Sequence, residues 1–344
     1  MAGIESRKVL LIGGAGYIGR HIAFALHDAG YELAVLDNLS TGSADHLPPH
    51  ELWHADITDV ALEQFDSLRG RVSAVIHLAA LTSVPESMCN PEAYYRVNAL
   101  GTLRALELAK RLGAGRFLFS STAAVYGEPV DLPVTETHPL NPANPYGGSK
   151  LAAEMLMRDY CAAHGICGIA FRYFNVVGCD PQLRTGDTRG ISDNLIHRLL
   201  ACVDRDDAVF SIYGDDYDTP DGTPVRDFVH VVDIASAHLR MMEGPVPEAS
   251  FTTLNIGYGR GFSVREVLEN LRQVARGRFN PVVQVQSRRE GDVEQIWADN
   301  TALLAQGWRP GFEDVATLLA HSYQWMTRAV KMNQGSRQPA DSEQ

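Results

Sequence analysis

Apolar residues fall along this chain in short, β-branched runs separated by longer stretches of helical spacing, and the alternation is regular through the first half. Runs at Lys8 to Gly13, Glu32 to Leu36, Glu51 to Ala55, Ala74 to Ala80, Arg116 to Ser121 and Gly168 to Phe174 read as buried strands. Between them, Arg20 to Ala29, Val60 to Leu68, Pro91 to Leu112 and Pro145 to Ala163 carry amphipathic helical patterns. Strand after helix after strand predicts an α/β protein with a doubly wound parallel sheet, whose ligands sit beyond the carboxyl ends of the strands.

Beyond Asn175 the pattern loosens. Asp193 to Val203 reads as a helix with Asp193 as its N-cap, Asp215 to Arg226 as an acidic loop, and Asp227 to Met242 as strand then helix. Phe251 to Ile256 reads as a strand, and Ser263 to Arg276 as a helix opened by a capping box of Ser263 and Glu266. Met332 to Gln344 is polar and predicted to be disordered. The second half brings no further nucleotide fingerprint and no repeat, so it is assigned to a second ligand.

Composition narrows the function classes. A chain of 344 residues with 45 % apolar and 21 % charged positions buries a large core, as one big domain or two closely joined ones. A net charge of -12 argues against nucleic acid or an anionic membrane surface as partner. No apolar run reaches the roughly 18 residues that would span a bilayer, and no signal-peptide core precedes Lys8, so a cytoplasmic address is expected. Cys89, Cys161, Cys167, Cys179 and Cys202 are odd in number and form no Cys-x-x-Cys pair, which suggests neither a disulfide framework nor a metal site.

Chemistry gathers at the strand ends. The first strand runs into Gly13-x-x-Gly16-x-x-Gly19 and then a helix, the context in which such glycines let a backbone approach a pyrophosphate. The next strand ends at Asp37, placed to accept from ribose hydroxyls, with no arginine beside it to welcome a 2′-phosphate; that favours NAD over NADP. Asp56 and Ile57 at the third strand's end would bracket an adenine, and Leu78, Ala79, Ala80 and Leu81 would run along the pyrophosphate and ribose. Each of these residue types is more commonly a cap or loop residue; their succession at strand ends is what carries weight.

Tyr146 and Lys150 lie four apart at the start of a helix, so phenol and ammonium share a face. The ammonium and a cationic cofactor ring would lower the phenol's pKa from about 10 and make Tyr146 a general base. With Thr122 beside it, the set is that of a hydride-transfer site: Tyr146 takes the hydroxyl proton while the carbinol hydrogen leaves as hydride to NAD. In the second half, Arg226, Arg289 and Asp292 are candidate contacts to a phosphorylated ligand, although Arg288 and Arg289 suit solvent equally well.

Thr122, Tyr146 and Lys150 together resemble the Ser/Thr, Tyr, Lys constellation of the extended short-chain dehydrogenases/reductases. The segments Gly13 to Gly19, Leu36 to Leu39, Pro145 to Lys150, Arg172 to Asn175, Tyr213 to Tyr217, Asp221 to Thr223, Val225 to His230 and Arg288 to Asp292 resemble the UDP-glucose 4-epimerase family. The resemblance covers residues 9 to about 310.

It implies a Rossmann sheet with a smaller α/β C-terminal substrate domain: residues 7–178 for NAD, with about 227–257 returning to that domain, and 179–330 for the UDP-sugar. It implies interconversion of UDP-glucose and UDP-galactose at C4 through a 4-keto intermediate on tightly bound NAD, in a homodimer paired through the two long helices. By motif position, the cofactor contacts are Gly13, Gly16, Tyr17, Ile18, Gly19, Asp37, Asn38, Asp56, Ile57, Leu78, Ala79, Ala80, Leu81, Asn98, Thr122, Tyr146, Lys150 and Phe174. The UDP-hexose contacts are Thr122, Tyr146, Asn175, Asn194, Leu195, Ser211, Tyr213, Arg226, Arg289 and Asp292.

Two positions depart from the family pattern. Thr82 stands where many members place a lysine, and Ile296 where side-chain bulk tunes entry of N-acetylated sugars. Epimerases of UDP-N-acetylglucosamine, UDP-glucuronate or UDP-xylose are the alternatives, and a non-enzymatic NAD-sensing module is the alternative of a different class. A 4,6-dehydratase would need an acid pair after Thr122, where this chain has Ala123 and Ala124.

Overall fold

The computed structural model describes residues 7–188, 194–244, 251–289 and 291–335. In chain order the first half holds β1 (Lys8–Ile12), α1 (Tyr17–Asp28), β2 (Glu32–Asp37), β3 (Glu51–His54), β4 (Val72–His77), α2 (Val84–Cys89) and α3 (Pro91–Tyr94). It continues with α4 (Gly101–Leu112), β5 (Arg116–Thr122), α5 (Pro145–His164) and β6 (Cys167–Tyr173). The second half holds β7 (Asn175–Val177), α6 (Leu195–Leu200), β8 (Val209–Tyr213), β9 (Val225–His230), α7 (Val231–Glu243) and β10 (Phe251–Ile256). After these come β11 (Gly261–Ser263), α8 (Val264–Ala275), β12 (Val282–Gln286), β13 (Gln295–Ile296), α9 (Thr301–Ala305) and α10 (Val315–Gly335).

Seven strands form one parallel sheet in the order β10-β6-β5-β4-β1-β2-β3. Because side chains alternate across a strand, successive residues of β1 serve two cores. Val9 and Leu11 pack with Ile22 and Leu26 of α1 and Ile234 and Met241 of α7. Leu10 and Ile12 pack with Leu106 and Ala109 of α4 and with Ala153 and Met157 of α5 on the other face. The direction of winding reverses between β1 and β4, and the crevice at that reversal is where such sheets take ligands. The expected doubly wound α/β architecture is present.

A smaller sheet is built on β9, which pairs antiparallel with β11 and parallel with β13 and β7. β8 and β12 form a parallel pair beside it. Phe210, Ile212, Phe228, Leu268, Leu271 and Leu318 share a third core under these elements.

Several elements differ from the sequence reading for identifiable reasons. Leu62–Leu68 is a 3-10 helix, and its buried residues Leu62, Phe65 and Leu68 recur every third position, the period of that helix. The predicted helix from Pro91 to Leu112 is continuous but widens into a π turn over Tyr95–Leu100, which sets Asn98 facing inward, fully buried. The N-cap of α6 is Asn194, accepting from the Ile196 amide at 2.9 Å; Asp193 lies outside the described residues. α10 continues to Gly335, so the first residues of the expected disordered tail are helical, carried on from a helix anchored by Leu318 and Leu319, while 336–344 lie outside the described residues. The capping box of α8 is present as expected.

Candidate active site

The glycine turn after β1 is shaped by close packing of the chain on itself. Gly13 has φ of +80°, and a Cβ there would lie 2.4 Å from the Ala79 amide nitrogen; one on Gly19 would lie 2.6 Å from the Gly13 carbonyl oxygen. Gly16 is different: a Cβ there would meet only the Gly13 carbonyl, at 3.4 Å. The protein itself does not require that residue to be small, which leaves space for a ligand over the turn. Gly16 is also the N-cap of α1 and offers no side-chain cap, and the first turn holds no acidic residue. The partial positive end of α1 is therefore open to an anion.

Asp37 anchors this turn. Its Oδ2 accepts from the Ala15 amide at 2.9 Å and its Oδ1 from the Leu39 amide at 2.8 Å. Asn38 donates to Asp56 Oδ2 at 2.8 Å, which joins the ends of β2 and β3. Burial pushes the Asp56 carboxyl up, but hydrogen bonds from Thr58 and Asn38 outweigh it and hold the group below the usual carboxylate range. Leu78 and Ala79 donate their amides to the Ile12 carbonyl at 2.7 and 3.0 Å, bringing the loop through Ala80 and Leu81 beside the glycine turn.

Some sequence-derived contacts are engaged otherwise in this structure. Tyr17 donates its hydroxyl to the Gly178 carbonyl at 2.6 Å, and Ile18 packs against the core beneath α1. Ile57 is buried in the core under α4. Asn98 accepts from the Leu81 amide at 2.9 Å and donates to the Leu81 carbonyl and to Ser149, so it braces the Leu78–Leu81 loop against α5. Phe174 is buried with Tyr126, Val134 and Ile296, which puts the departing residue Ile296 in contact with the end of β6.

Thr122, Tyr146 and Lys150 are brought together where β5 ends and α5 begins. α5 starts sharply because Asn144 caps it, accepting from the Gly147 amide at 2.9 Å, with Pro145 in the first turn. Gly147 lets the helix press on the preceding turn: a Cβ there would lie 2.5 Å from the Ala124 carbonyl oxygen. The Thr122 hydroxyl lies near enough to the Tyr146 phenol to favour its ionised form. Lys150 is buried, donates to the Ser120 carbonyl at 2.7 Å and lies 4.8 Å over the Phe119 ring.

The electrostatics correct one expectation. Burial is the largest influence on the Tyr146 phenol and raises its pKa, with the Thr122 hydrogen bond opposing. The acidification expected from Lys150 does not arise from the chain alone, because burial also pushes the Lys150 amine down, to about 7, with Glu154 opposing. An amine that is only partly protonated near neutrality is a weaker acidifier than an obligate cation.

The second cluster lies on the smaller sheets. Tyr213 is flanked by Arg289 at 3.8 Å and Arg198 at 4.9 Å from its ring centroid. Arg198 also donates to the Ser211 carbonyl at 2.7 Å and follows Asn194 and Leu195 by one turn, which ties those positions to β8. Arg226 donates to the carbonyls of Val225 and Glu294 at 2.9 and 3.2 Å, and to that of Val293; burial lowers its pKa while Asp292 and Glu128 oppose. Asn175 pairs with Phe228 in β7, and Ile296 pairs with Arg226 in β13. A Cβ on Gly291 would lie 4.0 Å from the Asn144 side chain, so the Arg289–Asp292 turn reaches the start of α5.

Arg198, Glu154 and Arg172 were not singled out from sequence. Glu154 had a signal, since it continues the Tyr146 and Lys150 face by one more turn; Arg198 had none.

A parallel Rossmann-type sheet with an open glycine turn, and a threonine, tyrosine and lysine joined at a strand end, defines a nucleotide-binding enzyme of the short-chain dehydrogenase/reductase type. Residues 9–257 match the family model described as "NAD dependent epimerase/dehydratase family", and the chain belongs to that family. It is 40 % identical over 322 residues to a UDP-glucose 4-epimerase of Azospirillum brasilense, covering 93 % of this chain and 92 % of that one. Among solved structures it is similar to UDP-glucose 4-epimerase from Bifidobacterium longum in complex with NAD+ and UDP, with TM-score 0.86 and 33 % identity over 93 % of this chain and 98 % of the other. The Brucella ovis UDP-glucose 4-epimerase in complex with NAD gives TM-score 0.85 and 37 % identity, covering 92 % and 97 %.

Proposed function

We propose that this enzyme interconverts UDP-glucose and UDP-galactose at C4 of the hexose, with NAD as resident cofactor and a 4-keto sugar as the transient intermediate. The observation that carries the reading is the gathering of Thr122 at the end of β5 with Tyr146 and, one helical turn on, buried Lys150 at the start of α5, at the carboxyl end of the sheet that carries the open glycine turn. The residues suit NAD: Gly16 leaves room above α1, its amides are uncapped, and Asp37 with Asn38 lines the edge where a ribose would lie. NAD held there would supply the acceptor for the C4 hydride and its donor for return to the opposite face. Tyr146 removes the proton from the C4 hydroxyl and later returns it, Thr122 holds the same oxygen in line, and Lys150 supplies positive charge that favours the phenolate.

Residues 7–178, with the strand and helix of about 227–257, would serve the cofactor, and 179–330 would serve the UDP-sugar, with Arg226, Arg289 and Asp292 at the diphosphate side. Tyr95, Leu100 and Met155 are 44, 56 and 52 % exposed on the α3–α4 and α5 helices, which suits pairing of two copies through those faces. Among the described residues no helix is long and apolar enough to cross a membrane. The five cysteines are free thiols, which suits a cytoplasmic address. The test is direct: purified protein given UDP-galactose without added NAD should form UDP-glucose, and absence of turnover with any UDP-hexose rejects the reading. Sedimentation of the purified protein as a monomer would reject the pairing.

A further inference from the structure

Behind the three reacting side chains lies a buried ion pair that the chemistry above does not use. Glu154 and Arg172 are 4 % and 3 % exposed, and the Arg172 fork reaches the carboxylate twice, at 3.1 and 2.7 Å. Ser121, paired across the sheet with Arg172, donates its hydroxyl to the same carboxylate. Arg172 donates further to Tyr126 and to the Glu136 carbonyl, each at 3.0 Å, and Tyr126 donates to Asn255 at 2.7 Å.

The placement gives this network its meaning. Tyr146, Lys150 and Glu154 occupy one face of α5 at successive turns, and Lys150 and Glu154 engage Ser120 and Ser121 of a single strand end. A buried pair costs desolvation that an apolar pair would avoid, so its presence one turn behind Lys150 calls for a role. Resting on the reading under Proposed function, we propose that Glu154 is a positioning residue of the active site: it locks α5 to the end of β5 and sets a fixed negative charge one turn behind Lys150, with Arg172 holding the carboxylate in place.

Glu154 is the carboxylate that acts on Lys150 from its own helix, one turn on. On its own helix it has Tyr146 and Glu154; from β4 it meets the neutral ring of His77; and on β6 stand Arg172 and Tyr173. Burial drives the amine toward its neutral form, and Glu154 is the group that opposes it.

The chain has four lysines, Lys8, Lys110, Lys150 and Lys331, so lysine labelled with 13C at Cε yields four signals, and Lys150→Arg identifies the relevant one. The Lys150 titration midpoint should fall by about one pH unit in Glu154→Gln, and the alkaline limb of turnover should fall with it. Arg172→Lys breaks the same fork but keeps the charges, and should leave the midpoint where it is while loosening the fold. Should Glu154→Gln fail to fold, the double variant Glu154→Gln with Arg172→Gln leaves no charge unpaired and should show a smaller downward shift, because the repelling Arg172 cation is lost with the carboxylate; no downward shift there overturns the proposal. An unmoved midpoint in the Glu154→Gln variant, or an equal shift in the Arg172→Lys variant, overturns the proposal. Because the titration is read without substrate, a wild-type protein inactive on every UDP-hexose would reject the proposed activity and leave this result standing on its own.

Discussion

The two clusters of candidate site residues are built in opposite ways. At the end of β5, Thr122, Tyr146 and Lys150 stand on a parallel sheet and a capped helix, with Lys150 fully enclosed and its neighbours joined by hydrogen bonds of fixed partners. Around Tyr213, the groups are arginines laid over its ring, partly exposed and carried by the short helix α6 and the segment after β12. The difference teaches a division of labour. Proton transfer needs atoms held in place and a dry environment that shifts pKa values, whereas recognising an anionic group needs guanidinium forks that a ligand can reach from solvent.

The comparison breaks if the enclosed cluster tolerates loss of its proton acceptor. Tyr146→Phe should reduce turnover by about 10²–10⁴-fold or more while leaving NAD content and UDP binding near normal, measured by assay and by absorbance of the released cofactor. Retention of near-normal rates would remove Tyr146 from the reaction.

A stability test probes the same interior. His77 is fully buried in β4 with neither ring nitrogen hydrogen-bonded, and burial pushes it down to about 3. Its folded-state pKa lies below the unfolded value, so the unfolded chain binds the extra proton between about pH 3 and 6.5, and stability from this group is lost as pH falls through that window. His77→Phe should remove one proton from the acid slope and gain about 4 kcal/mol relative to wild type near pH 3, read from Tm against pH. A parallel pair of acid profiles would mean the ring finds a proton acceptor.

The open cluster should respond in binding alone. Arg289→Ala should raise KM for a UDP-hexose by about tenfold with kcat within about twofold, since a charge-assisted contact to phosphate is lost equally in ground and transition states. Arg198→Met keeps the apolar stem over Phe210 and Tyr213 but loses the charge, and should raise KM only about twofold to threefold. An effect of either variant confined to kcat would merge the two clusters into one catalytic unit.

How much was legible beforehand follows the same divide. β1, β2, β4, β5 and β6 announced themselves because they are buried on both faces and read as largely apolar runs, whereas β3 is the exposed edge strand. β8, β12 and β13 were not read as strands, being short and partly exposed, although VFSIY and VVQVQ carry the β-branched composition of strands. Gly13, Gly16, Gly19, Tyr146 and Lys150 were found from spacing because turn and helix geometry make spacing equal to proximity. Asn98 was placed at the site, but that its amide is engaged by Leu81 and Ser149 depended on the π turn, which no spacing rule displays. The pull of Lys150 on Tyr146 can be read from i,i+4 spacing, whereas the opposing effect of burial, which raises the phenol's pKa in the chain alone, cannot.

By itself the sequence determined the local facts: the order of strands and helices, the turn that only glycine can make at Gly13, and the shared face of Tyr146 and Lys150. These depend on backbone sterics and helical period, which act over a few residues. Tertiary structure alone decided which carboxylate sits behind Lys150, that Arg172 and Ser121 meet on it from neighbouring strands, and that two arginines close on Tyr213 from α6 and the 288–292 turn. Those contacts join residues far apart in the chain, and they exist only because burying the sheet's two faces fixes where every strand end must lie.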